Sequence, residues 1–208
     1  MRRRALLGYG ATGFGALGLT LLVGWWRVDG PVAPDPAEQR PLPFSEMDFR
    51  LQDHERQPVG PDMLIGRASL VFFGFTFCPD ICPTTLSDIS GWLDDLEDDA
   101  ERLNVILITV DPERDTVDAM AEYVGYFHPA IRGWTGPEPQ IARAAADFRA
   151  IYERVPTESG DYTMNHTASV FLFDPEGRFA GSIDYHEPRE FAVPKIRRAM
   201  EADAVGET

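Results

Sequence analysis

Ser69-Leu-Val-Phe-Phe-Gly-Phe-Thr-Phe-Cys-Pro-Asp-Ile-Cys-Pro-Thr-Thr85 contains both cysteines of the 208-residue chain and the point where its hydrophobic period changes. Ser69 to Thr76 is a continuous apolar run of the kind that forms a buried strand. From Thr84 the apolar positions become Leu86, Ile89, Trp92, Leu93 and Leu96, a helical spacing. Cys78 and Cys82 therefore fall where a strand ends and a helix opens, and Pro83 suits a helix's first turn. Open α/β sheets place their sites at that edge. A helix N-terminus, with unpaired N–H groups and partial positive charge, also favours the thiolate form of a nearby cysteine.

Outward from this junction, strand and helix signals alternate. Upstream, Phe44 to Val59 reads as a short hairpin with Gln52-Asp53-His54-Glu55 at its turn. Downstream, Asn104 to Val110 is a second buried strand, and Asp115 is placed to cap a helix running through Tyr126, with Asp118 in its first turn. Gly136-Pro137 opens a helix to about Ala150. Ala168 to Phe173 and Arg178 to Ile183 form a strand pair joined by Asp174-Pro-Glu-Gly177, and a last helix spans Pro188 to Ala204. The expected fold class is α/β, a three-layer sandwich in the thioredoxin order with an N-terminal β-hairpin extension.

Composition supports one folded domain: 44% of residues are hydrophobic and 11% aromatic. The formal charge is −15, and residues 1–27 carry Arg2, Arg3, Arg4 and Arg27 with no acid, so the remainder stands at −19. Such a surface repels phosphates, and no basic stripe occurs, which argues against a nucleic-acid partner. Residues 1–27 read as a membrane anchor. Three arginines precede an uncharged stretch from Ala5 to Trp26 that ends in Trp25-Trp26. As a helix that stretch reaches about 33 Å, against about 30 Å of bilayer hydrocarbon. The arginines then stay cytoplasmic and the tryptophans mark the far interface. A cleaved signal peptide is the competing reading, with Val32-Ala33 or Pro36-Ala37 as cleavage points; no cysteine follows to carry a lipid. Residues 28–43, with five prolines, form an extended tether, and residues 44–208 the domain, held on the outer face of the inner membrane.

Two cysteines four positions apart on a helical turn lie about 6 Å apart between Cα atoms. That distance permits a disulfide and equally lets two thiolates converge on one soft metal ion. Three intervening residues, not two, weaken the case for an ordinary thioredoxin-type oxidoreductase. A structural disulfide is the plain reading outside the cytoplasm, although a loop so small gains little from closure. Zinc needs more ligands than this chain's single cysteine pair offers. Copper suits the pair better, because sulfur favours Cu(I) and an imidazole helps hold Cu(II). Of the four histidines, His54 lies in a polar turn and is expected to be solvated, His128 precedes Pro129 at a helix end where it would cap the helix, and His186 sits in a surface-like segment. His166 stands immediately before the strand starting at Ala168. In a thioredoxin plan that junction lies beside the dithiol and usually carries a cis-proline; here no proline occurs between 157 and 174.

Gly74-Phe-Thr-Phe-Cys-Pro-Asp-Ile-Cys-Pro-Thr-Thr85, Val110-Asp-Pro-Glu-Arg-Asp-Thr116, Asn165-His-Thr-Ala-Ser169 and Leu172-Phe-Asp-Pro-Glu-Gly177 closely resemble the Sco/SenC family of copper chaperones. The resemblance runs from about Phe44 to the end of the last helix. It implies one copper ion, Cu(I) or Cu(II), bound by Cys78, Cys82 and His166. It further implies delivery of copper to the binuclear centre of cytochrome c oxidase subunit II, or reduction of that centre's cysteines, in company with other periplasmic copper carriers or thiol reductants. Asn165 departs from the Asp that many relatives carry before the histidine, which leaves the ligand but removes a nearby charge.

Two further readings remain open. A periplasmic thiol–disulfide reductase would cycle Cys78 and Cys82 as a redox dithiol without needing His166. A peroxidase-like or redox-signalling role would need an arginine and a hydroxyl beside one reactive cysteine, and the sequence identifies no such pair. Asp111-Pro-Glu-Arg-Asp115 either tunes the site or orients a partner, or is simply a turn with a helix cap. Asp80 is a charge beside the site or a polar loop residue, and Phe75 and Phe77 shield the site or belong to the core.

Overall fold

The computed structural model describes residues 40–158 and 160–201. The expected anchor, most of the tether and the last residues of the chain lie outside them. No helix among the described residues is long and apolar enough to cross a membrane.

The apolar runs became the centre of a seven-stranded sheet. β1 (Leu51–Asp53) and β2 (Pro58–Val59) form the N-terminal hairpin, followed by β3 (Ala68–Gly74), β4 (Leu103–Thr109) and β5 (Ile131–Thr135). A separate hairpin of β6 (Tyr152–Pro156) and β7 (Tyr162–His166) precedes β8 (Val170–Phe173) and β9 (Phe179–Ile183). The sheet order is β2-β1-β5-β4-β3-β8-β9. β3, β4 and β5 are parallel, and the flanking strands are antiparallel to them. Every residue of β3 is buried, as expected of a parallel strand covered on both faces.

Alternation along the strands assigns the layers. Phe73, Phe171 and Phe173 point to one face, where Phe148 packs on all three with ring centroids 5.3 to 5.9 Å away. Phe148 follows helix α3 (Glu138–Asp147). Phe44 and Phe49 from the N-terminal segment complete this cluster, Phe44 stacking on Phe173 at 4.2 Å. Each such buried ring contributes about 2 kcal/mol of transfer free energy. On the other face lie α1 (Ile81–Leu96), α2 (Val117–Val124) and α4 (Arg189–Met200). A Cβ on Gly74 would meet the Cys82 sulfur of α1, and one on Gly133 would meet Met120 and Val124 of α2. Helices on both faces of a mixed sheet give the expected three-layer α/β plan, with the β1–β2 hairpin added at one edge.

Three readings of the sequence need correction. Asp115 does not cap α2. Thr116 does, its hydroxyl accepting from the Ala119 N–H, while Asp115 turns inward and is fully buried. The helix stops at Val124, short of Tyr126. Finally, His54 is not simply solvated: its Nδ1 accepts from the Gly133 N–H at 3.1 Å and fastens the hairpin turn to β5. Two elements had no counterpart in the sequence reading, β5 and the β6–β7 hairpin.

Candidate metal centre

Residues 75–80 carry the chain from the end of β3 to α1. Phe75 is buried, Phe77 is 61% exposed, and Asp80 occupies the helix N-cap without a side-chain cap bond. The Cys78 sulfur takes that role, accepting the Cys82 backbone N–H at 3.4 Å. Cys82 is buried on the second residue of α1, packed towards Gly74, where any side chain would crowd its sulfur at 3.0 Å. The backbone at Gly74 is not strained, so the requirement is for space alone.

His166 arrives from elsewhere. It is the last residue of β7, paired across the hairpin with Tyr152, and not part of the strand that begins at Val170. Its Nε2 lies 3.4 Å from the Cys82 sulfur. Its Nδ1 lies 2.9 Å from the Thr167 carbonyl. A carbonyl only accepts, so Nδ1 carries the proton and Nε2 presents its lone pair to the sulfurs, the arrangement that metal-binding histidines use. Phe72 and Phe75 meet the imidazole edge-on at 5.9 and 5.8 Å and wall it off from the core side.

The ligand atoms of Cys78, Cys82 and His166 all lie within 4.8 Å of one another. Two sulfurs and one imidazole nitrogen form a soft donor set suited to copper, with Cys78 half-buried and Cys82 buried. Both cysteines are free. The S–H of Cys82 donates to Cys78, and this, with the Cys82 and Asp80 backbone N–H groups against the cost of burial, holds the Cys78 thiol down at about 4. Cys82 is pushed the other way by the same hydrogen bond, by burial and by the neighbouring Cys78 thiolate. The pair therefore holds one thiolate and one thiol at neutral pH and shares the remaining proton.

Of the other histidines, none joins the cluster. His128 does not cap the helix that ends at Val124; its Nδ1 accepts the Ala130 N–H at 3.1 Å within the turn before β5. His186 adopts a positive φ of 60° and packs on Tyr185.

Residues 109–115 build the wall beside the cysteines. The Asp115 carboxylate accepts from the Thr109 and Thr76 hydroxyls, both at 2.6 Å, and from the Thr76 N–H at 3.1 Å. It thus ties the end of β4 to the loop leading to Cys78. Burial raises its pKa, opposed by these hydrogen bonds. Asp111 is buried and pairs with Arg114 Nε, while its other oxygen accepts the Tyr162 hydroxyl at 2.9 Å. The Arg114 guanidinium lies 3.8 Å above the Tyr162 ring and 4.7 Å from the Phe77 ring, and its Nη1 donates to the Tyr162 carbonyl at 3.1 Å. Arg154, ion-paired to Glu113, covers the same tyrosine at 3.9 Å. Sequence reasoning gave Tyr162 no role, and it left Asp111–Asp115, with Arg114, open as either a segment that tunes the site or a turn.

The SCO1/SenC family model matches residues 37–201. The mitochondrial SCO2 homolog of Mus musculus is 40% identical over 158 residues, which is 74% of this chain and 62% of that protein. Bradyrhizobium japonicum ScoI with copper bound superposes with a TM-score of 0.70 at 38% identity, covering 77% of this chain and 99% of that one. Yeast Sco1 with copper bound gives a TM-score of 0.69 at 30% identity, covering 81% and 94%. Against the SCO2 relatives of mouse, zebrafish and yeast the chain spans 52–64% of their length.

Proposed function

The chain belongs to the SCO1/SenC family, and from that premise we propose that it carries one copper ion on Cys78, Cys82 and His166 and passes it on during assembly of cytochrome c oxidase. The observation that carries the reading is the convergence of two sulfurs and one correctly protonated imidazole within 4.8 Å. Copper is cargo here: a three-ligand site holds Cu(I) firmly and yields it to a partner offering a further thiolate. The recipient is the binuclear centre of cytochrome c oxidase subunit II, as the Sco/SenC resemblance implies. Other periplasmic copper carriers load the site, or thiol reductants keep its cysteines reduced. Residues 1–27 anchor the chain once in the inner membrane and residues 28–43 tether the domain 44–208 on the periplasmic side.

Incubation of the copper-loaded chain with an apo subunit II domain tests the errand. Copper should move to the acceptor and produce its binuclear-centre absorption. Retention of copper by the donor, with the acceptor's cysteines merely reduced, would replace this reading by a second one.

That second reading is a thiol–disulfide reductase for copper-site cysteines, and the depressed thiol of Cys78 favours it. The two differ at His166. His166→Ala should impair copper delivery under the first reading, through loss of the nitrogen that helps hold Cu(II), and leave disulfide reduction untouched under the second.

A further inference from the structure

The two halves of the metal centre come from elements that share no backbone hydrogen bonds with each other. Cys78 and Cys82 sit on the β3–α1 junction, whereas His166 ends a two-stranded hairpin outside the seven-stranded sheet. Something must fix the hairpin relative to the cysteine loop, because a ligand nitrogen displaced by 1 Å leaves the coordination sphere. At its root the hairpin is held by Ile151 and Thr167, which exchange backbone and hydroxyl hydrogen bonds, and by the Tyr152 hydroxyl on Glu138 at 2.8 Å. Above the root, Met164 is buried in the core, and Tyr162 meets Asp111 through its hydroxyl and Arg114 through its carbonyl.

We propose that Arg114 is a positioning residue for the metal centre, its guanidinium wedged between Phe77 of the cysteine loop and Tyr162 of the His166 hairpin so that one rigid plane sets the spacing of the two ligand sources. Three observations converge on it. The side chain is only 16% exposed, and its Nε is locked to the buried carboxylate of Asp111. Its flat faces meet Phe77 and Tyr162, the former next to Cys78 and the latter on the same strand as His166. Its Nε and Nη1 are engaged by Asp111 and the Tyr162 carbonyl, with Asp161 at 3.7 Å, while its Nη2 is buried without a hydrogen-bond partner, so ring contact holds the group where hydrogen bonding does not. A lysine could keep the ion pair with Asp111 but supplies neither the plane nor the second hydrogen bond to the Tyr162 carbonyl. The neighbouring Arg154 cannot substitute, since it covers Tyr162 while paired to Glu113 and has no contact with Phe77.

The metal readout of this inference rests on the copper reading; the apo readout does not. Arg114→Lys, Tyr162→Leu and Tyr162→Phe are compared with the unaltered chain in two measurements. The first is the His166 ring resonances of the reduced, metal-free chain. The second is the electron paramagnetic resonance spectrum and dissociation rate of Cu(II) added to it. Arg114→Lys and Tyr162→Leu should broaden the His166 resonances, weaken the nitrogen hyperfine coupling, and speed Cu(II) release by about 10- to 100-fold, the range seen when a ligand's supporting contact is lost. Tyr162→Phe, which keeps the ring under both guanidinium groups and loses only the hydroxyl's hydrogen bond to Asp111, should change both readouts less than Tyr162→Leu. Tyr162→Leu removes a half-exposed ring and keeps the test open should Arg114→Lys fail to fold. Sharp His166 resonances in Arg114→Lys or Tyr162→Leu would overturn the proposal, as would Tyr162→Phe broadening them as far as Tyr162→Leu does. If the unaltered chain binds no copper, the copper reading falls while the metal-free resonances still decide the role of Arg114.

Discussion

The Cys82 sulfur lies 3.4 Å from Nε2 of His166, although 84 positions separate them in sequence. Neither group has reason to be there for packing alone. A buried thiol is satisfied by its neighbours, and an imidazole at a strand end is as easily left in solvent. What brings them together is a strand–helix junction on one side and a hairpin outside the main sheet on the other, and the expected consequences follow from that construction.

Removal of the imidazole separates the two oxidation states. His166→Ala leaves both sulfurs, which suffice for Cu(I), but strips the nitrogen that helps hold Cu(II). The substitution should cost about 1 kcal/mol of stability, typical of a half-buried side chain. Competition titrations with chromophoric chelators should show Cu(I) binding largely retained and Cu(II) binding lost.

The thiols should titrate apart. Cys78 sits near 4, well below the ordinary 9.0, so its alkylation rate should be flat from about pH 5 to pH 8, where a free cysteine gains tenfold per unit. Its depressed value adds stability that is fully present above 9.0 and fades as pH falls through about 4. Cys82 is raised, so its contribution is present below 9.0 and is lost only in more alkaline solution. Cys82→Ala deletes the S–H that donates to Cys78, and the alkylation profile of Cys78 should then move up towards the ordinary thiol range.

Asp115 and Thr116 make adjacent but unequal contributions. Thr116→Ala removes a helix cap and should cost about 1 kcal/mol in urea denaturation, with the thiol profile unchanged. Asp115→Ala orphans the buried Thr76 N–H and two hydroxyls. Each unsatisfied buried group costs about 1–3 kcal/mol, so the total should exceed the cap loss at least twofold. Because Thr76 leads into Cys78, that variant should also disturb Cys78 alkylation. Equal costs for the two variants would contradict the assignment.

Gly74 should tolerate no side chain. Gly74→Ala puts a methyl 3.0 Å from both the Cys82 sulfur and a Phe72 ring carbon, and 3.2 Å from Leu107. Overpacking of this kind costs about 1–3 kcal/mol. Because the sulfur is one of the atoms that must move, copper affinity should fall together with the melting temperature.

Much of this was readable in the chain, and the exceptions have physical causes. β3 and β4 announced themselves because parallel strands covered on both faces are apolar throughout. β5, Ile131-Arg-Gly-Trp-Thr135, carries an exposed arginine and a glycine that makes room for α2, so its apolar signal is broken. The β6–β7 hairpin lies outside the main sheet, has few buried positions, and shows no alternation to detect. That gap matters for the site. His166 was found from the strand that follows it, but the strand it ends was invisible. Asp115 was read as a cap because an acid before a helix usually is one, and only the fold could show Thr76 and Thr109 waiting for it on the inside. Arg114 stacks on two rings 37 and 48 positions away, a relationship no local pattern encodes. The two cysteines needed none of this. Their spacing and place at a change of period were enough.

X-ray absorption of the reduced full chain loaded with one equivalent of Cu(I) reads the ligands most directly. Two sulfur neighbours and one nitrogen at shorter distance are expected. The nitrogen should vanish in His166→Ala and a sulfur in either cysteine-to-serine variant. A spectrum with fewer than two sulfurs, or one that His166→Ala leaves unchanged, would contradict the site described.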